Sequence, residues 1–289
     1  MGAIGVGRGL WALAAASLGI LGLVYPETAP FGPSLPAHMA WQPLWVYGPA
    51  ILVLAAGVGV CFRRTALPGT WAIGAYLLLW AASSVPSVLS DPLSVDAWYG
   101  LCEALTSLAG AGLLYGVLRA RAPESQRPLA GPRAARAARA AHAARVLFGL
   151  TCIFYGCSHF AYAAYTAGMV PGWLPDRPAV ADFTGAAHIA AGLGIAVGIL
   201  PRLAATLEAT MMSLFGLLVW VPSFFARPRP AWATPPQNQW SELVVTLVLL
   251  SSAWIVAISL RDRSWVFGSG SGRAAAAGRR HARPNSGAG

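Results

Sequence analysis

The amino-acid sequence predicts an all-α integral membrane protein, with eight transmembrane helices arranged as two parallel four-helix repeats. Hydrophobic residues make up 56% of the 289 positions and charged residues only 10%, whereas soluble domains carry about 25% charged residues. The mean hydropathy of +0.58 agrees with this. Eight apolar runs approach the ~20 residues that a helix needs to cross a bilayer. The two halves of the chain also share a sequence pattern.

The apolar runs define the predicted spans, which are roughly 9–25, 44–62, 69–90, 97–119, 144–166, 181–200, 203–225 and 239–260. The first span is short and follows Arg8, so a cleaved signal peptide is the competing interpretation. No small-x-small cleavage pattern follows in "LGILGLVYPETAP". We therefore keep this run as a span.

The arginines predict the orientation of the spans. All 20 basic residues are Arg, and 17 of them fall at alternate helix ends, on one side of the predicted bundle. Only Arg177, Arg227 and Arg229 fall on the other side. The positive-inside rule then places both termini in the cytoplasm, as an even number of spans requires.

A repeated pattern indicates a duplicated unit. The stretch "SLPAHMAWQPLWVYGPAILVLAAGVGVCFRR" (34–64) aligns with "WLPDRPAVADFTGAAHIAAGLGIAVGILPR" (173–202), and Glu103 and Glu242 lie near the start of the fourth helix of each half. Because each unit has an even number of helices, the two copies share one orientation. We predict a first, diverged repeat at 1–119 and a second at 144–263.

Residues 120–143 are predicted to form a basic cytoplasmic linker and residues 264–289 a disordered cytoplasmic tail. Within the linker, Arg133, Arg136 and Arg139 recur at every third position among alanines. We interpret these as a solvated positive-inside segment, with a headgroup-binding Arg helix as the alternative. Nucleic-acid binding is disfavoured, because the basic stretch has no interleaved aromatic residues.

Polar residues inside spans are the candidate site, since ionisable groups in a bilayer are rare and usually face the bundle interior. From a rise of about 1.5 Å per residue, His159, His188 and Glu242 should lie at one level in the outer half. Glu208 is predicted apart from them, on the cytoplasmic side, near basic groups. The wider candidate set adds Tyr155, Tyr162, Trp173, Thr184 and Trp240, with Glu103 as a secondary member.

A cluster of His, Glu and Tyr allows several chemistries. It could bind a metal ion or haem, relay protons, or hydrogen-bond the oxygens of a quinone. The plain alternative is that each His bonds a neighbouring Tyr, Glu or backbone carbonyl and locks the bundle. A metal or haem site is disfavoured because no tight ligand motif is present.

The cysteines are interpreted as small apolar residues. Cys152 and Cys157 lie about 140° apart around a helix, at roughly 100° per residue, so their side chains diverge and cannot form a disulfide without breaking the helix. The sequence has no CxxC motif.

The second half of the chain, from Arg145 to about Leu260, resembles the DoxX family of membrane proteins. The matching stretches are "GCSHF" (156–160), "MVPGWLP" (169–175), "DFTGAAHIAAGLGI" (182–195), Arg202 with "LAATLEATMMSLF" (203–215), and "QWSELVV" (239–245). The resemblance implies four-helix membrane units. It also implies, for some relatives, a link to thiosulfate:quinone oxidoreductases or to oxidative-stress complexes.

With this resemblance, we expect a bacterial inner-membrane, redox-associated subunit with a quinone or similar small apolar ligand near the periplasmic face. His159 and His188 would bond the ligand's oxygens, Glu242 would exchange protons and the Trp173 loop would cap the site. A redox-protein partner subunit is expected. The alternatives are a small-solute transporter or exporter and a non-catalytic assembly subunit. The sequence does not decide whether the protein is an enzyme.

Overall fold

The described residues of the computed structural model form an all-helical bundle. They are residues 3–26, 41–120, 132–233 and 236–266. The α-helices are α1 (Ala3–Val24), α2 (Gln42–Val60), α3 (Ala66–Ser90), α4 (Val95–Ala120), α5 (Pro132–Ala161), α6 (Ala163–Met169), α7 (Arg177–Val197), α8 (Pro201–Phe215), α9 (Val221–Phe225) and α10 (Pro236–Ser259). Within these described ranges, eight helical segments are long and apolar enough to cross a membrane, which confirms the predicted number.

The eighth helix is not regular along its whole length. A π-helical segment, Gly216–Trp220, joins α8 to α9, so that Pro201–Phe225 forms one continuous span. Pro222 lies two residues beyond the π segment. Proline lacks an N–H and its ring clashes with the carbonyl four residues earlier, so a wider turn just before it relieves that clash.

Helix α5 is longer than the predicted span. It begins at Pro132, so part of the predicted linker is helical and continuous with the span, and the side chains of Arg136 and Arg139 are exposed. The helix ends at Ala161, and Tyr162, with φ −114° and ψ 39°, separates it from α6. Residues 121–131 of the predicted linker and 267–289 of the predicted tail lie outside the described residues.

Neighbouring helices pack in a ring-like order. Within the first half α1 packs on α2, α2 on α3 and α3 on α4, and within the second half α5 packs on α7, α7 on α8 and α8 on α10. Helices α4 and α10 pack on each other, α1 packs on α10, and α5 packs on α4. Helix α1 is therefore a packed member of the bundle, with Trp11 only 2% exposed.

The closest helix pair in the second half is α5 with α7. A Cβ added to Gly156 would lie 2.6 Å from the carbonyl oxygen of Gly185, and one added to Gly192 would lie 2.5 Å from that of Gly149. Both distances are shorter than real Cβ contacts. These glycines therefore let the two backbones approach, as small residues do in membrane helix pairs, and the approach holds His159 and His188 near each other.

The ends of the bundle differ in charge. We call the end at which α3 and α5 finish and α4 and α7 begin the acidic end, because Asp91, Asp96 and Asp176 lie there. The opposite end, where α4 finishes and α8 begins, carries Arg119 and Arg202, and we call it the basic end. At the basic end, Arg202 donates to the carbonyl of Arg261 at 2.6 Å, and its guanidinium lies 3.9 Å from the centre of the Trp265 ring.

Candidate functional site

A cavity of about 530 Å³ lies between the second half of the bundle and α4. Its lining includes seven ionisable or phenolic groups from the predicted set and its neighbours: Tyr99, Glu103, Tyr155, His159, Tyr162, His188 and Glu242. The mouth is at the acidic end, where Asp96 and Tyr165 are exposed and also line the cavity. We call this space the central cavity.

The polar groups of the central cavity are reached at increasing depth. Asp96 is the second residue of α4, and Glu103 follows seven residues later, roughly 10 Å further along the helix at ~1.5 Å per residue. His188 is eleven residues after the start of α7, or about 16 Å, and is 2% exposed. The polar lining therefore runs from the Asp96 carboxylate at the mouth to the buried imidazole of His188 at the bottom.

His159 is fixed by the backbone of α7. Its Nδ1 lies 3.2 Å from the carbonyl oxygen of Ala181 and 3.2 Å from the hydroxyl oxygen of Thr184. Because a carbonyl oxygen only accepts hydrogen bonds, Nδ1 of a neutral imidazole carries the proton and Nε2 is left as an acceptor. Thr184 thus holds the ring from behind and does not line the central cavity.

Phe215 joins the two histidines in one ring cluster. The ring centres of His159 and His188 are 5.4 Å apart, at an interplanar angle of 60°. The Phe215 ring lies 6.1 Å from His159, nearly parallel to it, and 6.0 Å from His188. Tight packing of this kind restricts both imidazoles to one orientation, which a binding site needs in order to present its polar atoms to a ligand.

Glu208 corrects the sequence-based interpretation. It was expected near basic groups on the cytoplasmic side, but it is fully buried, and its Oε1 lies 2.9 Å from Nδ1 of His188. The two groups are at ion-pair distance, although the ring N–H does not point at the oxygen well enough for a hydrogen bond. The thiol of Cys152 is also close to this carboxyl group.

The sequence pattern of α8 does indicate that Glu208 is buried. Ala205, Glu208 and Met212 are spaced at i, i+3 and i+7 and are all buried, so the carboxyl group shares the core-facing stripe of its helix. The pairing of Glu208 with His188 could not be predicted from the sequence, because it depends on how α7 and α8 cross.

Tyr162 stands at the mouth of the central cavity. Its hydroxyl donates to Oδ1 of Asp96 at 2.6 Å, which links the break after α5 to the first turn of α4. The ring of Tyr99 lies 6.3 Å from that of Tyr162 and 6.4 Å from that of Tyr155. A wall of tyrosines therefore faces the histidine cluster.

Besides Thr184, two of the predicted residues are not part of the cavity lining, Trp173 and Trp240. Trp173 is 70% exposed and is not part of the lining, so the structure does not place it as a cap. Trp240 is 42% exposed and packs on the ring of Phe224, with ring centres 4.2 Å apart. The tryptophan that does line the central cavity is Trp220, at the end of the π segment.

Among the described residues, no group of three or more His, Cys, Asp or Glu side chains is arranged to hold a metal ion. The four cysteines are free, Cys152 being buried and Cys157 exposed. The site is thus a set of proton-accepting and proton-donating groups facing aromatic rings.

Comparison of the chain with protein-family models, with curated proteins and with solved structures found no match. The resemblance to the DoxX family stays a prediction from the sequence stretches quoted above.

Proposed function

We propose that the protein is a DoxX-like membrane protein built from two parallel four-helix repeats. The packing order supports this, because each half uses the same sequence of neighbours and each first helix packs on the last helix of the other half. A close glycine approach also recurs: in the first half a Cβ on Gly57 would lie 2.7 Å from the backbone nitrogen of Ala16. Glu103 and Glu242, one from the last helix of each half, line the same cavity.

The proposed location is a bacterial inner membrane, with both termini in the cytoplasm and the acidic end facing the periplasm. Arg63, Arg64, Arg119 and Arg202 at the basic end support this orientation, since short cytoplasmic loops carry an excess of basic residues. The central cavity would then open toward the periplasm.

The proposed ligand is a quinone or a similar small apolar molecule with oxygen acceptors. The observation that carries this proposal is the central cavity itself, where two fixed imidazoles and two carboxyl groups face a tyrosine wall. Ligand cavities commonly have mostly apolar walls and a few placed polar groups, at volumes of about 300–1,000 Å³. The aromatic lining suits a flat ring, and the polar groups suit its oxygens.

The roles follow from the positions of the groups. His159 and His188 would hydrogen-bond the ligand's oxygens from the bottom of the cavity, and Glu242 and Glu103 would exchange protons with it. Reduction of a quinone consumes two electrons and two protons, so a redox partner subunit would supply the electrons. Burial makes each such hydrogen bond worth more than it would be in water.

Quinone binding is tested on the purified protein. Lipids extracted from the detergent-purified protein should contain quinone, and a short-chain quinone should bind the delipidated protein by calorimetry. Removing one hydrogen-bonding partner in a buried site costs about 1–3 kcal/mol, so His188→Ala should weaken binding by roughly five-fold or more.

The matched control is Trp173→Ala, because Trp173 is an aromatic residue outside the cavity lining. It should bind quinone like the wild type. Absence of extracted quinone, together with equal affinity in wild type and His188→Ala, would contradict the proposal.

A second candidate, a small-solute transporter, is supported by the helix interruptions. Tyr162, at the break after α5, and Trp220, at the end of the π segment, both border the cavity. Interrupted helices around a central site are typical of transporters. Proteoliposomes separate the two candidates, because a redox subunit should show no solute flux across the bilayer.

A further inference from the structure

Glu208 and His188 lie between two separate spaces. His188 lines the central cavity, which opens at the acidic end. Glu208 lines a second space, a groove of about 650 Å³ between α7 and α8. We call it the inner groove, because residues near the basic end, such as Leu200 and Leu203, line it. The contact between Nδ1 of His188 and Oε1 of Glu208, 2.9 Å long, lies between the two spaces.

The depth of the pair places it near the middle of the bundle. Counting from the acidic end, His188 lies about 16 Å along α7. Counting from the basic end, Glu208 is seven residues after the start of α8, or about 10 Å. Neither side chain reaches bulk water, since they are 2% and 0% exposed. Ionisable residues at such depth are usually functional, because isolated charges there are costly.

The two spaces differ in how many proton-accepting and proton-donating groups line them. The central cavity provides His159, Glu103, Glu242 and four tyrosines between His188 and the mouth. Among the described residues that line the inner groove, Glu208 is the only ionisable one, and the rest are Ala, Gly, Leu, Ile, Val and Met. Apolar walls give water molecules too few hydrogen-bond partners to form an ordered chain, so the inner groove offers a proton no path of polar groups.

We propose that His188 and Glu208 form a proton-exchange site that holds one proton and trades it with the central cavity, and so with the acidic end of the bundle only. Imidazole suits this task, because it accepts a proton at Nε2 as it gives one from Nδ1, which conserves its charge. A proton passing inward enters at Nε2 from the cavity. A small rotation of the Glu208 carboxyl group then aligns Oε1 with the Nδ1–H at 2.9 Å, and the Nδ1 proton moves to Oε1. Outward transfer reverses these steps.

Other titratable groups surround the pair and are part of its electrostatics. Cys152 and His159 of α5 interact directly with the pair, and Asp182 of α7 acts on His159. Glu103 of α4 and Glu242 of α10 share the lining of the central cavity with His188. No Arg lines the central cavity or the inner groove among their described lining residues. The groups with which the pair can exchange its proton are therefore carboxyl groups, imidazole and a thiol.

Only the purpose of the exchanged proton rests on the proposed function, because a quinone that is reduced in the cavity needs protons from nearby groups. The site itself is testable without any ligand. Failure of the quinone test would leave the exchange site standing, and failure of the exchange test would leave quinone binding standing.

The experiment is infrared difference spectroscopy of the full-length protein in detergent, between acidic and alkaline pH. We expect a carboxyl band that changes with pH in the wild type and is missing in Glu208→Gln. A set of titrating bands that is the same in both proteins would overturn the proposal. Should Glu208→Gln not fold, Glu208→Asp should keep the band at a shifted frequency, and an unshifted band would overturn the assignment.

The direction of exchange is tested by transfer into D₂O at a pH where the acid form is present. His188→Gln should slow deuterium exchange of the Glu208 carboxyl by at least ten-fold. The matched control is Ala190→Phe, which fills the inner groove and should leave the exchange rate unchanged. Unchanged exchange in His188→Gln, or slowed exchange in Ala190→Phe, would overturn access through the cavity.

Discussion

Glu208 shows how an ionisable side chain is tolerated deep in a membrane bundle. It is fully buried, its partner His188 is 2.9 Å away, and the pair is enclosed by α5, α7 and α8. Removing one member of such a pair leaves the other buried without compensation, which costs more than removing both. The energetic link between the two residues is therefore measurable apart from any ligand.

A double-mutant cycle measures that link. Glu208→Leu and His188→Leu alone should each destabilise the fold by about 3–5 kcal/mol, because each leaves an unpaired polar group. The double variant should lose at least ~1 kcal/mol less than the sum of the two. The free energies come from unfolding in mixed micelles by SDS titration, with helix content followed by circular dichroism.

Additivity within about 0.5 kcal/mol would mean that the two groups do not interact, and would contradict the pairing of His188 with Glu208.

At the residue scale, the sequence predicted part of the lining of the central cavity. Counting the rise per residue put His159, His188 and Glu242 at one level, and all three line the central cavity. Glu208 was placed apart from them because helical rise gives depth along one helix but not the crossing of two. Trp173 was included in the predicted site because it lies in a Pro-rich loop, whereas in the structure it is 70% exposed.

The α5–α7 pair is the element that fixes the geometry of the histidines. Gly149 and Gly156 on α5 face Gly192 and Gly185 on α7, with hypothetical Cβ atoms 2.5–3.1 Å from carbonyl oxygens of the partner helix. A side chain at any of these positions meets backbone, which cannot rotate away. The helices must then separate or shift along each other.

Gly192→Ala tests this close approach. The added methyl group would lie 2.5 Å from the carbonyl oxygen of Gly149, and overpacking of this kind typically costs about 1–3 kcal/mol. The thermal unfolding midpoint in detergent should fall. The matched control is Gly9→Ala in α1, where a Cβ meets nothing within 4 Å and helix propensity favours alanine.

A midpoint for Gly192→Ala at or above that of Gly9→Ala would mean that α5 and α7 are not as close as described.

At the element scale, composition predicted the spans but not their interruptions. Apolar length alone indicated eight helices, and eight such segments are present among the described residues. The break at Tyr162 and the π segment Gly216–Trp220 depend on local hydrogen-bond patterns. Pro222 lies three residues before the span ends at Phe225, and the wider turn precedes the proline.

The whole molecule has a charge asymmetry that predicts how it inserts. Arg63, Arg64 and Arg202 lie at the basic end, and Asp91 and Asp176 lie at the acidic end. Basic residues in short loops resist translocation. The proposed orientation follows, with the central cavity open to the side opposite the basic loops.

Reporter insertions test the orientation in a bacterial host. Alkaline phosphatase, which is active only outside the cytoplasm, should be active when inserted in the loop at 91–94 and inactive in the loop at 198–200. A green fluorescent protein insertion should give the reverse pattern. Activity of the phosphatase at 198–200 would contradict the orientation.

At the scale of the molecule, the sequence predicted a membrane bundle because 56% of its residues are hydrophobic and only 10% are charged, too few for the surface of a typical soluble domain. The arrangement of the helices around one another required the structure, since many packing orders satisfy the same hydropathy pattern. The meeting of α4 with α10, which brings Glu103 and Glu242 to one cavity, is a case in which the sequence repeat suggested equivalent positions but not their proximity.

The central claim is that the central cavity is the place where the protein holds a small apolar ligand. Photoaffinity labelling with an azidoquinone, followed by mass spectrometry of peptides, tests it most directly. Labels should fall on lining residues, such as Tyr155, Met169 and Met212, and excess unlabelled quinone should suppress them. Labelling spread over lipid-exposed side chains such as Leu79 and Phe183, without competition, would contradict the claim.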